Sequence, residues 1–96
     1  MARRLNPTAP VRLSRVVAVA HAYEPARGLA LLDDLNRHYQ LDQEPLTRQR
    51  ERAVCAHLLE MTGEPTSAAA RYREAAALRE NQVERRYLLG RAHRLG

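Results

Sequence analysis

The sequence predicts an all-α protein of antiparallel helical hairpins, and three observations carry that expectation. The first is the stretch from Ala53 to Arg79, AVCAHLLEMTGEPTSAAARYREAAALR, which reads as two helices folded back through Thr62-Gly63-Glu64-Pro65. Around that break Ala56, Ala68 and Ala75 fall where small side chains let two helices approach closely, and Tyr72 fills the widening gap beyond them. The second is an internal repeat at a spacing of forty residues. Glu24-Pro25 returns as Glu64-Pro65, which sets Gly28 at the place of Ala68, Leu32 at that of Tyr72 and Leu35 at that of Ala75. The third is composition: the chain is 45% hydrophobic, much of that alanine, with no Trp and no Phe. Ala and Leu favour helices, whereas strands draw on β-branched and aromatic residues.

Residues 1–9 read as a short basic lead-in to one helical domain over residues 10–96, since 96 residues leave no room for a second core. Pro7 and Pro10 bracket a turn, and Pro10 can take the first position of a helix. From Val11 to Ala22 the run VRLSRVVAVAHA is apolar on nearly every side after Val16, which predicts a helix sandwiched between neighbours. Tyr23-Glu24-Pro25 breaks it. A second helix, Ala26 to Tyr39, sets Leu29, Leu32, Leu35 and Tyr39 on one stripe and turns Asp33, Asp34 and Arg37 to water. Gln40 to Glu44 is polar and reads as flexible, and Pro45 is expected to open the third helix. There Ala53, Val54, His57, Leu58 and Met61 recur at three- and four-residue intervals. The fourth helix runs from about Thr66 to Arg79. Asn81 then serves as an N-cap with Glu84 as its capping-box partner, and the fifth helix, Gln82 to Leu95, is expected to bury Val83, Tyr87, Leu88 and Leu95.

Placed with Gly63 at the turn, the intervals of Ala56, Ala68, Tyr72 and Ala75 resemble the tetratricopeptide (TPR) repeat. Leu89-Gly90 begins the pattern again thirty-four residues after Cys55-Ala56. The expected architecture is TPR-like: five helices, about two and a half repeats, with Gly28, Leu32, Ala56, Ala68, Tyr72 and Ala75 at the helix contacts. That is fewer than the ~3 repeats usually needed to bury a continuous core. Marginal stability, or a missing neighbour, is therefore expected.

Over about residues 6–95 the chain is also similar to the long TPR-like C-terminal extension of some extracytoplasmic-function-type RNA polymerase sigma factors, common in actinobacteria. The matching parts are Ser14 to Ala20, Glu24 to Asp33, Gly63 to Ala75 and Asn81 to Leu88, the most specific being Gly28 to Asp33 and Asn81 to Tyr87. His21 and Ala22 depart from the acidic residue and glycine-bearing turn common there. The promoter-reading and polymerase-binding regions of that family have no counterpart in this sequence. The resemblance thus implies a regulatory or protein-interaction appendage, either a fragment or a stand-alone version, whose partners are sigma core regions or polymerase.

Charge leaves a second reading open. The net charge is +5, and all sixteen basic residues other than histidine are Arg. Residues 48–96 carry ten Arg against six Glu, which admits a small basic nucleic-acid-binding helical protein. Direct DNA contact is nevertheless disfavoured, because aromatics are few and Glu74, Glu80 and Glu84 interrupt the basic helices. A TPR-type array presents the first helix of each pair on its concave side, so Arg12, Arg48, Gln49, Arg52 and Arg91, with His93 nearby, are the candidate protein-binding residues. Arginine suits such a surface because its planar fork grips carboxylates. The competing reading is an ordinary solvated face, with Arg52, Arg71 and Arg79 pairing with Glu on their own helices.

No nucleophile–base set, paired carboxylates or phosphate loop is present, so neither catalysis nor a cofactor is expected. Cys55 reads as a small buried hydrophobe. His21, His38, His57 and His93 lie singly on different helices without ligand spacing, so no metal site is expected. A lone cysteine, the absence of an apolar run of ~18 residues and the MARR start point to a cytoplasmic protein with no membrane segment.

Overall fold

A computed structural model describes residues 9–45, 47–78 and 82–95. Five helices follow in order: α1 Ala9–Ala22, α2 Pro25–Tyr39, α3 Arg48–Met61, α4 Pro65–Ala77 and α5 Gln82–Leu95. The described residues contain no strand. α1 packs on α2, α3 lies against both, α4 packs on α3, and α5 packs on α4. The lead-in over 1–8, the Asn81 cap, Arg79 and Gly96 lie outside the described residues.

The two Glu-Pro breaks are built alike. Pro25 and Pro65 each open a helix, where the missing N–H costs nothing, and the carbonyls of Glu24 and Glu64 accept from the amides of Gly28 and Ala68 at 3.4 and 2.9 Å. At the second break Gly63 takes φ +80°. The amide of Glu64 donates to the Leu59 carbonyl (2.9 Å) and that of Gly63 to Glu60 (3.1 Å). This is the paired closure that ends a helix on a left-handed glycine, and it turns α4 back along α3.

Two cores result. One gathers Leu13, Val16, Ala20, Leu32, Leu41 and Leu58; the other gathers Ala56, Ala68, Ala69, Tyr72, Ala75, Ala76, Leu88 and Ala92. α3 is the shared wall, giving Leu58 to the first and Ala56 to the second. The first hairpin closes tightly because Gly28 has no side chain. A Cβ there would sit 2.7 Å from the Ala20 Cβ and 3.1 Å from the Val16 carbonyl.

Five expectations are corrected. α3 starts at Arg48, not at Pro45, because the amides of Gln43 and Glu44 turn back to the Gln40 carbonyl and that of Thr47 to Glu44, with the Thr47 hydroxyl donating to the Leu41 carbonyl (2.7 Å). That segment is anchored, since Leu41 is buried in the first core and the Asp42 amide donates to Asn36 Oδ1 (3.2 Å). α1 is not sandwiched: it buries Leu13, Val16 and Ala20 but leaves Val11 and Ala18 exposed, because both of its neighbours lie on one side. Tyr39 leaves the α2 stripe for solvent, where the Arg12 guanidinium covers its ring at 3.9 Å. On α5, Leu88 and Ala92 are buried and Leu95 is partly so, but Val83 and Tyr87 are 77% and 63% exposed. α4 offers α5 a shallow alanine face that one stripe suffices to cover.

Because the Gly28 contact is with backbone and with a Cβ, neither can swing aside. Gly28→Ala is expected to destabilise the chain by about 1–3 kcal/mol, the usual cost of overpacking. Urea denaturation measures it; an unchanged midpoint would mean that α1 and α2 separate freely.

Candidate functional site

The concave side is lined by the first helix of each pair, and its groove is about 340 Å³. Ala53 and Val54 of α3 form the floor, Val17 of α1 one wall, and Tyr87 and Leu88 of α5 the other. Gln49, Arg50 and Glu84 stand at one end, and His57 lies at the other. These residues converge because α3 repeats Arg50, Ala53, Val54 and His57 along one face at helical spacing. The groove is thus apolar in the middle, with an exposed tyrosine on its rim and charge at one end. Such a surface suits an anchor side chain of another polypeptide.

The anticipated binding residues do not all reach it. Gln49 does, although its side chain also donates to the Ala75 carbonyl at 3.5 Å. Arg12 lies toward α2, over Tyr39. Arg48 lines a separate cleft with Asp42, Arg52 and Glu74, between the start of α3 and the end of α4. The expectation that Arg52 and Arg91 are open docking residues is corrected, since both are consumed by internal pairing. Arg52 hydrogen-bonds Glu51, reaches Glu74 at 3.2 Å and lies 3.9 Å from Asp42. Burial works to lower its pKa, but the hydrogen bond and charge of Glu51 prevail and hold it above the ordinary value. Arg91 pairs with Glu60, which also accepts from the Tyr72 hydroxyl at 2.9 Å. Arg71 pairs with Glu74 on its own helix at 2.8 Å.

Two features escaped the sequence reading. Glu51 is fully buried (0% exposed) and accepts from Asn36 Nδ2 at 2.8 Å as well as from Arg52, so it ties α2 to α3. Its signal was its place on the stripe of Val54, Cys55 and Leu58, where a charge must find partners. His21 and His57, expected to stand apart, meet across α1 and α3 with ring centroids 5.9 Å apart. Among the described residues no group of three metal-binding side chains forms. Cys55 is partly buried, and burial followed by the charge of Glu51 pushes its thiol pKa up, which opposes reactivity. No helix among the described residues is long and apolar enough to cross a membrane.

Fold and groove define a class, an all-α helical-hairpin protein with a concave surface. Beyond that class, no protein-family model matches the chain, and no curated protein or solved structure is significantly similar to it.

The Glu60 cluster gives a pH dependence. Burial raises the Glu60 pKa, but the hydrogen bonds from Arg91 and Tyr72 outweigh it and the net shift is downward. A depressed folded pKa contributes stability above the ordinary glutamate value of about 4.3, lost as pH falls through the folded value. Melting temperature should therefore drop more steeply on acidification below about pH 4.3 in the wild type than in Glu60→Gln; parallel pH profiles would remove Glu60 from the cause. Glu51→Ala, which leaves the Asn36 Nδ2 donor without its acceptor and removes the nearest counter-charge of Arg52, should cost about 3 kcal/mol in denaturation.

Proposed function

We propose that this chain is a protein-interaction module that docks a partner polypeptide in the α1–α3–α5 groove. The observation that carries the reading is the groove itself: an apolar floor of Ala53 and Val54 beside a wall of Leu88 and a tyrosine that is 63% exposed. A buried aromatic costs the chain nothing at an interface, whereas one left in water calls for cover. The resemblance to the C-terminal extension of extracytoplasmic-function-type sigma factors supplies the setting. In it the module regulates or completes such a factor in the cytoplasm by docking on its core regions or on polymerase.

Internal pairing supports a polypeptide partner over nucleic acid. Arg37, Arg52, Arg71 and Arg91 are paired to carboxylates, and the other exposed arginines, Arg15, Arg27, Arg48, Arg50, Arg73, Arg85, Arg86 and Arg94, are spread over all five helices. Phosphate binding gains most from a continuous basic stripe.

Co-purification with the sigma core regions, or with polymerase, is the deciding experiment, and recovery of neither overturns the sigma setting. Tyr87→Ala should leave the melting temperature unchanged while weakening a recovered complex at least tenfold, about 1.4 kcal/mol. A mobility shift with promoter duplex that collapses steeply with salt would instead favour the nucleic-acid reading.

A further inference from the structure

Two imidazoles meet at one end of the groove. His21 stands in the last turn of α1, while His57 lies on the C-terminal half of α3 and lines the groove. Their ring centroids are 5.9 Å apart, with the planes inclined at 37°. That tilt is neither the parallel offset nor the edge-to-face arrangement that aromatic rings favour, so ring attraction does not explain the meeting.

The ring nitrogens are uncommitted. A neutral imidazole keeps one nitrogen as an acceptor, yet neither ring makes a hydrogen bond or an ion pair with a described residue. His38 shows the contrast, with its Nδ1 held 2.9 Å from the Asp34 carbonyl oxygen and 3.6 Å from the Asp34 carboxylate. His21 is exposed and His57 half-buried, so solutes reach the pair from water. The end of α1 adds a favourable field, because a helix C-terminus carries partial negative charge.

The separation suits a shared ion. Two imidazoles bound to one tetrahedral ion, each nitrogen about 2.1 Å from it, hold their centroids about 5 Å apart. Closing the observed gap takes a shift of less than about 1 Å, which the exposed His21 ring can supply by turning. Imidazole nitrogen suits zinc, nickel and copper, whereas magnesium and calcium require oxygen ligands. Glu60, one turn beyond His57, is not a third ligand, since its carboxylate is held by Arg91 and by the Tyr72 hydroxyl.

We propose that His21 and His57 bind one divalent transition-metal ion of the zinc and nickel class, with water in its remaining positions. One ligand sits on α1 and the other on α3, so the ion staples the Val17 wall of the groove to the Ala53–Val54 floor. Binding to the folded chain therefore stabilises it by mass action. The site needs only these two helices and is independent of whether a polypeptide docks in the groove.

The probes are zinc chloride and nickel chloride, titrated separately into the full chain, free of any polyhistidine tag, in a non-coordinating buffer. Each ion should raise the melting temperature, EDTA should reverse the rise, and magnesium chloride should produce none. With zinc, the imidazole resonances of His21 and His57 should shift before any others. His21→Ala, at an exposed position without an internal hydrogen bond, should leave the fold intact and weaken binding at least tenfold. His57→Gln should weaken it likewise, while His38→Ala, His93→Ala and Cys55→Ser should keep the wild-type affinity. Any of four results overturns the proposal: no rise with either ion; an equal rise with magnesium; unchanged affinity in His21→Ala; or first shifts anywhere other than the two rings.

Discussion

Close approach of helices over small side chains is the constraint from which the molecule follows. A buried methyl contributes only about 0.8 kcal/mol, so Ala56, Ala68, Ala69, Ala75, Ala76 and Ala92 bring little hydrophobic drive individually. Their value is geometric. They let α3, α4 and α5 come near enough for Tyr72 and Leu88, the large side chains buried in that core among the described residues, to close it. Gly28 does the same for the first hairpin, where anything larger than hydrogen collides with Ala20. Such a core is thin, and specificity must be reinforced from elsewhere.

Polar clasps supply that reinforcement. Each of the two buried or half-buried networks spans elements that the alanine seams alone would leave free to slide. Asn36, Glu51, Arg52 and Glu74 join α2, α3 and α4, and Tyr72, Glu60 and Arg91 join α4, α3 and α5. A buried carboxylate with one partner would be a liability, because desolvation is repaid only when the remaining lone pairs are used. Glu51 meets that condition with an amide and a guanidinium. The same networks explain why two arginines that look available in the sequence are withdrawn from the surface.

Much of this was legible in the sequence, and the failures, Pro45 apart, share one cause. Helix-forming composition, the Glu-Pro breaks and the forty-residue echo determine five helices with bounds near those observed, because each signal acts locally. Gly28, Ala56, Ala68, Tyr72 and Ala75 announce buried contacts through spacing alone, and each is buried. Which face of a terminal helix is covered is a different kind of fact. Val83, Tyr87 and Leu88 have equal claims to burial by periodicity, and only the position of α4 decides for Leu88. Glu51 and the His21–His57 contact are likewise settled by neighbours distant in sequence. Pro45 misled for a local reason: Leu41 plunges into the core and spends residues on a turn before α3 can begin.

The position of α5 ties these points together. It is the wall of the concave groove through Tyr87 and Leu88, and the bearer of the outer face through Val83, Leu89 and Gly90. Its attachment is a seam of Leu88, Ala92 and Leu95 on α4, with Arg91 reaching across to Glu60 of α3. Groove shape therefore depends on how α5 sits on α4, while the interior of the first hairpin does not. Any contact that fixes α5 from outside also fixes the groove wall, because both surfaces belong to one rigid rod. The α5 helix is thus where a chain with a thin core carries Val83, Tyr87 and Leu89 exposed beside the groove that it helps to build.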